Sequence, residues 1–170
     1  MKSPGRIFLD TSVVNFIIEY SEQINDGAPV DHPKDRICSD ILALSTIHYF
    51  ANHNPIELIV SSTVLQEVQA TNKQQKRVAM QQYCSELSRR FNHLVNEDTT
   101  VNGRQLQYFE EFLLEKGLDI LTNKNDRRLI LEALLWKCDI FCTRDYRTIL
   151  KHRGRLKKLI PIQPLTPSEW

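Results

Sequence analysis

The stretch Arg6-Ile7-Phe8-Leu9-Asp10-Thr11-Ser12 is a short apolar run that stops at an acidic residue. The apolar triplet before Asp10 favours a buried β-strand, and Thr11 and Ser12 are good N-caps for the apolar helix that follows. In open α/β sheets, ligands bind beyond the carboxyl ends of the strands, so an acid at this position lies where a site would form. Taken alone, Asp10 is better explained as a helix cap, because Asp is common at such turns.

Length and composition fit one globular domain spanning residues 1–170, with an ordinary 41% of hydrophobic and 25% of charged residues. The 22 Lys and Arg residues nearly balance the 21 Asp and Glu residues. This balance excludes a protein that binds polyanions through a generally basic surface. No apolar segment has the length of a membrane span, and the first residues lack the apolar core of a signal peptide. We therefore expect a cytoplasmic protein without a membrane partner.

The cysteines lie mostly in apolar segments and lack the close Cys and His pairs of a zinc site. They are Cys38, Cys84, Cys138 and Cys142. We expect reduced thiols that pack in the core.

Residue spacing predicts alternating helices and strands in the first half of the chain. Residues 21–34 contain a glycine and two prolines and predict a loop, after which apolar residues recur at helical spacing from Asp35 to about residue 51. A short buried strand over residues 56–60 leads to Ser61-Ser62-Thr63, which caps a helix carrying Glu67 at the edge of its buried face.

Helical spacing dominates the middle of the chain. A polar turn over residues 71–75 and helical spacing over residues 76–91 predict a helical hairpin, and His93-Leu94-Val95 fits a short edge strand. A further helix is predicted up to Gly117, a residue type that commonly follows helix ends.

A strand followed by an acid occurs a second time, after residue 139. Asn123 or Asn125 can cap a helix in which Asp126 lies on the same face as an isoleucine four residues later. The apolar run Ile140-Phe141-Cys142 then ends in Thr143-Arg144-Asp145, as the opening run ends at Asp10. Residues 160–162 predict a last edge strand, and residues 166–169 resemble a capped helix start.

This order of elements predicts an α/β fold of three layers, α/β/α, with a mainly parallel sheet of four or five strands. Such a sheet gathers Asp10, Glu67, Asp126 and Asp145 at one edge. Packed carboxylates raise one another's pKa values, and a hard divalent cation relieves the repulsion, so acids without His or Cys partners indicate Mg²⁺ or Mn²⁺. A metal ion there suits hydrolysis of phosphodiester bonds, whereas the alternative is a set of unrelated surface acids.

Five segments together resemble the PIN-domain family, metal-dependent ribonucleases that include the VapC-type toxins of bacterial toxin–antitoxin pairs. They are residues 7–12, 61–68, 125–133, 141–145 and 165–169. The resemblance implies an endoribonuclease in which Asp10, Glu67, Asp126 and Asp145 bind Mg²⁺ or Mn²⁺ and carry catalysis. Ser12 and Thr143 would be polar helpers. The resemblance also makes RNA the substrate, and it admits an antitoxin protein and a second copy of the chain as partners.

The segment from Arg144 to Lys158 holds seven Lys and Arg residues against a single acid, Asp145. A basic run beside a site acid favours phosphate binding. The predicted RNA-binding residues are Arg144, Arg147, Lys151 and Arg153. The equally weighted alternative is a solvated charged face.

Two other functions stay open from the sequence. A PIN-like module that binds RNA or protein without turnover would share the same fold. Phosphatase-like chemistry through an aspartyl intermediate at Asp10 is less well supported, because Ser12 stands where the second acid of such enzymes is usual.

Overall fold

The fold is built on a four-stranded sheet in which every strand pair is parallel. A computed structural model of the chain describes residues 5–54, 56–98 and 103–170, without the side chains of residues 90–98 and 103–106. The strands are β1 (Arg6–Leu9), β2 (Glu57–Ile59), β3 (Ile140–Cys142) and β4 (Gln163–Leu165). Their order is β2-β1-β3-β4, which agrees with the predicted parallel sheet of four or five strands.

Helices connect the strands and complete the predicted three-layer α/β/α fold. The described residues form α1 (Thr11–Glu19), α2 (Ser21–Asn25), α3 (Asp35–His53), α4 (Ser62–Gln69), α5 (Gln74–Asp98), α6 (Gly103–Glu115), α7 (Lys124–Leu135) and α8 (Arg153–Leu159). Short 3₁₀ turns cover Leu118–Ile120, Leu150–His152 and Pro167–Glu169. In the part of the chain that the structure describes, no helix is long and apolar enough to cross a membrane.

The two interior strands form the centre of the core. Ile7, Phe8 and Leu9 of β1 are each at most 1% exposed, because layers of helices cover both faces of the sheet. Phe8 lies in register with Phe141 of β3, and their rings stack with centroids 5.2 Å apart. This pairing fixes the carboxyl end of β1 beside that of β3.

The helical hairpin is confirmed, but the predicted edge strand over His93-Leu94-Val95 is wrong. The polar residues after α4 lead into α5, and the two helices pack together. Residues 93–95 belong to α5, since Phe91, Leu94 and Val95 continue a helical spacing of three and four residues. The predicted loop over residues 21–34 also begins with a short helix, α2, which is anchored by buried Ile24.

The last strand begins three residues later than the sequence predicts. Residues 160–162 are not a strand; β4 is Gln163–Leu165 and contains Pro164. Proline lacks the N–H that a central strand needs, and β4 tolerates it as an edge strand. The capped start at residues 166–169 is confirmed, because Thr166 and Glu169 form a reciprocal capping box around a 3₁₀ turn.

Candidate active site

Asp10 follows β1 directly and is buried, with 4% of its surface exposed. Its backbone N–H donates to the carbonyl of Cys142, which continues the pairing between β1 and β3. The hydroxyls of Ser12 and Thr143 each donate to Oδ2 of Asp10 at 2.6 Å. Both predicted polar helpers therefore lie against this carboxylate.

The N-cap of α1 is Asp10 and not Thr11 or Ser12, which form the first turn of the helix. Asp10 makes no side-chain cap hydrogen bond, since its carboxylate accepts from Ser12 and Thr143. Asp10 is therefore the N-cap residue by position, but its buried carboxylate is not that of a solvated cap.

Burial raises the pKa of Asp10 from 3.8 to about 6, although the hydrogen bonds from Ser12 and Thr143 lower it. The nearby charge of Glu67 raises this pKa further. Asp10 is therefore the acid of the site whose charged form has lost the most solvation.

Glu67 is held between two other elements of the site. The hydroxyl of Thr11 donates to Oε2 at 2.5 Å, and the side-chain amide of Asn125 donates to Oε1 at 3.1 Å. Glu67 thereby connects α4 to the start of α1 and to the start of α7. Asn123 caps α7 through its side chain, which leaves the Asn125 amide for Glu67.

Asp126 is buried in the first turn of α7, on the inward face that the sequence predicts, and is 7% exposed. Its Oδ2 has no hydrogen-bond partner among the described residues. Burial raises the pKa of Asp126, and the charges of Asp145 and Glu67 raise it further, whereas the neighbouring Thr148 hydroxyl and the charge of Arg127 lower it. Asp126 is thus a buried acid facing two other acids with one oxygen unsatisfied.

Asp145 lies in the turn after β3 and is the best satisfied acid. It accepts the backbone N–H groups of Arg147 and Thr148 at 2.9 and 2.8 Å, and the Thr148 hydroxyl at 2.5 Å. Burial raises its pKa, but these bonds from Thr148 and Arg147 outweigh burial, so the pKa lies below the usual 3.8. Asp145 therefore carries its charge at neutral pH.

The structure places the four predicted acids at one edge of the sheet. Thr143 links two of them, since its hydroxyl donates to Asp10 and accepts the backbone N–H of Asp145. Within residues 5–54, 56–98 and 103–170, however, no group of three or more His, Cys, Asp or Glu side chains is close enough to hold a metal ion as it stands. The acids are neighbours, and hydroxyl and amide groups donate to three of them, Asp10, Glu67 and Asp145.

Sequence reasoning misses three of those donors: Thr11, Asn125 and Thr148. The sequence predicts helix caps at Thr11 and Asn125, because Thr and Asn are common N-cap residues. That local role hides their contacts with a distant carboxylate. Thr148 carries a usable signal, because a Ser or Thr three residues after an Asp commonly closes a side-chain-bonded turn.

The cysteines are free thiols, as predicted, but Cys38 is only half-buried and does not belong to the core. Cys84, Cys138 and Cys142 are buried, and burial raises their pKa values, for Cys138 to about 12. Such thiols stay protonated at neutral pH, so they are poor nucleophiles and metal ligands.

The predicted RNA-binding residues differ in how they are placed. Arg144 is engaged inside the protein: its Nε donates to Asp40 at 2.9 Å, and its guanidinium lies 3.6 Å from the ring centroid of Phe16. Asp40 is completely buried and also accepts the backbone N–H of Ser168. Arg144 therefore ties β3 to α3, and it is not presented to solvent as a phosphate ligand would be.

The other three basic residues are exposed. Arg153 forms an ion pair with Glu169 at 2.5 Å. Arg147 and Lys151 form no ion pair in the part of the chain that the structure describes, and they remain the better candidates for phosphate contacts.

Comparisons of the chain with known protein families, with characterised proteins and with solved structures found no match. The geometry of the site therefore carries the functional argument.

We expect Arg144→Met to lower the free energy of unfolding by about 3 kcal/mol, because it leaves the buried carboxylate of Asp40 without its partner. Arg147→Met, the matched change at an exposed arginine, should cost less than about 0.5 kcal/mol. Urea denaturation of both variants measures the difference. Equal losses of stability would contradict the structural role of Arg144.

We expect Asp10→Asn to stabilise the metal-free protein at neutral pH. An acid whose pKa is raised from 3.8 to about 6 on folding destabilises the fold as pH rises between those values, by up to ~3 kcal/mol. Asn removes the charge and keeps an oxygen that accepts from Ser12 and Thr143. Urea denaturation should show the gain near pH 7.5 and little at about pH 3, where Asp10 is largely protonated in both states.

The exposed acid Asp31 supplies the control for this pH dependence. Asp31→Asn should change stability by less than about 0.5 kcal/mol at either pH. If Asp10→Asn raises the free energy of unfolding equally at both pH values, the gain does not come from removing the buried charge of Asp10.

Proposed function

We propose that this protein is a PIN-like, Mg²⁺- or Mn²⁺-dependent endoribonuclease that uses Asp10, Glu67, Asp126 and Asp145. The observation that carries the proposal is Oδ2 of Asp126, a buried carboxylate oxygen without a hydrogen-bond donor among the described residues, on an acid that faces Glu67 and Asp145. Buried polar groups in folded proteins almost always have a partner, and a cation is the partner that like-charged acids favour.

The donor set fits a hard divalent ion. The four groups offer only carboxylate oxygens, which suit Mg²⁺ and Mn²⁺ better than Zn²⁺ or copper, and the nearest cysteine, Cys142, is buried and protonated. A divalent ion bound there would polarise a phosphoryl oxygen and lower the pKa of a water molecule.

The surrounding residues position the acids. Ser12 and Thr143 orient Asp10, Thr11 and Asn125 orient Glu67, and Thr148 holds Asp145 in its charged form. Donors that fix the orientation of metal-binding carboxylates strengthen metal binding in known sites. The hydroxyl and amide groups here would strengthen metal binding in the same way, and their presence therefore supports the proposal.

A cleavage assay tests the proposal. Purified protein should cleave single-stranded RNA with Mn²⁺ and fail to do so with EDTA. Asp126→Asn and Asp145→Asn should reduce cleavage by at least ~100-fold while RNA affinity is kept or increased, since each variant removes negative charge from the edge. Asp31→Asn, at an exposed position, should cleave like the wild type. Cleavage that persists in EDTA would contradict a metal-dependent reaction.

The exposed basic residues supply a second test. Because phosphate contacts act through counterion release, Arg147→Gln with Lys151→Gln should flatten the salt dependence of RNA binding by about one unit of slope for each phosphate contact that is removed. The double change Lys157→Gln with Lys158→Gln removes the same charge from the exposed side of α8. RNA binding across a salt series should separate the two proteins. If the Arg147/Lys151 variant and the wild type show the same salt dependence of RNA binding, the basic run is a solvated face and not a phosphate-binding surface.

A specific observation also favours a second function, an RNA- or protein-binding module without turnover. Glu67 and Asp145 already have hydroxyl and amide partners, and no three of the acids form a metal site within the described ranges. Wild-type protein that binds RNA but shows no Mn²⁺-dependent cleavage would establish this alternative.

The resemblance to PIN-type toxins extends the proposal to partners and location. We propose an antitoxin protein, a second copy of the chain and a cytoplasmic location. Co-expression with the product of the neighbouring open reading frame, followed by size-exclusion chromatography, tests the two protein partners. A protein that elutes as a monomer and does not bind the product of the neighbouring open reading frame would contradict the toxin role. The nuclease proposal would not be affected by that result.

A further inference from the structure

Glu132 of α7 is a buried acid that lies outside the set of four. It is 4% exposed and accepts all its hydrogen bonds on Oε1: from the Thr63 hydroxyl at 2.7 Å, Arg128 Nε at 3.3 Å and the Ser62 hydroxyl at 3.5 Å. Its other oxygen, Oε2, is buried without a partner among the described residues. Thr63 is 2% exposed, so this contact is sealed between α4 and α7.

Among the described residues, hydrogen bonds join these helices at two positions, and at the first of them Glu132 accepts from both Ser62 and Thr63. Thr63 and Glu67 are four residues apart on one face of α4, and Asn125 and Glu132 are seven residues apart on one face of α7. The second contact is the bond from Asn125 to Glu67 at 3.1 Å. Thr63, near the start of α4, contacts Glu132 near the end of α7, whereas Glu67, later in α4, contacts Asn125 at the start of α7. The two contacts therefore join antiparallel helices at two points along their length.

The helices joined in this way carry two acids that repel each other. Glu67 is on α4 and Asp126 is on α7, and the charge of Glu67 acts on Asp126. We propose that Glu132, through Thr63, is a positioning residue that holds α4 against α7 and so keeps Glu67 and Asp126 together for divalent-metal binding. This inference rests on the proposed function and assigns no contact between Glu132 and the metal ion.

Stability alone does not account for Glu132. A buried carboxylate with one unsatisfied oxygen has a desolvation cost that the donors on its other oxygen offset only in part. Replacing such a polar pair by apolar residues of similar volume is often neutral or stabilising. An apolar pair would lack the directional bond that fixes the spacing of the helices. The polar pair is therefore explained by position and not by stability.

The experiment uses variants of the full chain that separate these two effects. Thr63→Val keeps the shape and removes the hydroxyl, whereas Thr63→Ser keeps the hydroxyl. The double variant Thr63→Val with Glu132→Met replaces the contact by an apolar one. Ile47→Val, in the core of α3, controls for a general loss of stability. Binding of Mn²⁺ is measured by titration with detection of the free ion, together with Tm and RNA cleavage.

We expect Thr63→Val and the double variant to bind Mn²⁺ at least ~10-fold more weakly than the wild type. Thr63→Ser should stay within about threefold of the wild type, because the hydroxyl is kept. The double variant should have a Tm equal to or above that of the wild type, so its weaker binding cannot come from unfolding. The Mn²⁺ concentration for half-maximal cleavage should rise in parallel with the dissociation constant.

Several results would overturn the inference. Wild-type protein that neither binds Mn²⁺ nor cleaves RNA overturns the proposed function and this inference with it. Wild-type protein that binds Mn²⁺, together with a double variant that binds it equally well, overturns the inference alone. Equally weakened Mn²⁺ binding in Thr63→Ser and Thr63→Val, or binding in Ile47→Val as weak as that in Thr63→Val, would also overturn it.

Discussion

The burial of Asp10 at the end of the central strand pair is the constraint on which the site depends. Pairing of β1 with β3 places the Thr143 hydroxyl against this carboxylate, and the first turn of α1 brings Ser12 to the same oxygen. Two hydroxyl bonds offset part of the desolvation, and the pKa still rises to about 6. The edge of the sheet is therefore organised around the carboxylate of Asp10, whose ionised form lowers the stability of the fold because it is desolvated.

The site is joined by a reciprocal pattern in which a residue beside one acid binds another acid. Thr11, next to Asp10, donates to Glu67, and Asn125, next to Asp126, donates to the same carboxylate. Thr143, two residues before Asp145, donates to Asp10. Three of the four segments thus supply an acid and also a donor to the acid of a neighbouring segment, so a shift of one of these strand ends or helix starts would disturb more than one carboxylate.

Local patterns predict the ends of the two interior strands and fail where the partner is distant in sequence. The runs before Asp10 and Thr143 are recognisable because a buried parallel strand is a continuous apolar run. Arg144 looks like part of a basic run, since its partner Asp40 is 104 residues away and sits in a helix with an ordinary pattern. Thr11 resembles a cap for the same reason: its partner on α4 leaves no local signal. The predicted strand at residues 93–95 fails differently, because a short apolar cluster fits both periods.

The two acids that follow strands come after the interior strands, where apolar burial is greatest. Asp10 and Asp145 follow the interior strands β1 and β3, whereas the edge strands β2 and β4 lead to Ser61 and Thr166, which are helix caps without charge. Fully burying a phenylalanine contributes ~1.5–3 kcal/mol, and the stacked pair Phe8 and Phe141 lies directly beneath the interior strand ends. That gain is comparable with the ~3 kcal/mol that the raised pKa of Asp10 represents. An edge strand, with less apolar surface to bury, would offset such a cost less well, so the same core that forms the sheet also makes the buried acid at its edge tolerable.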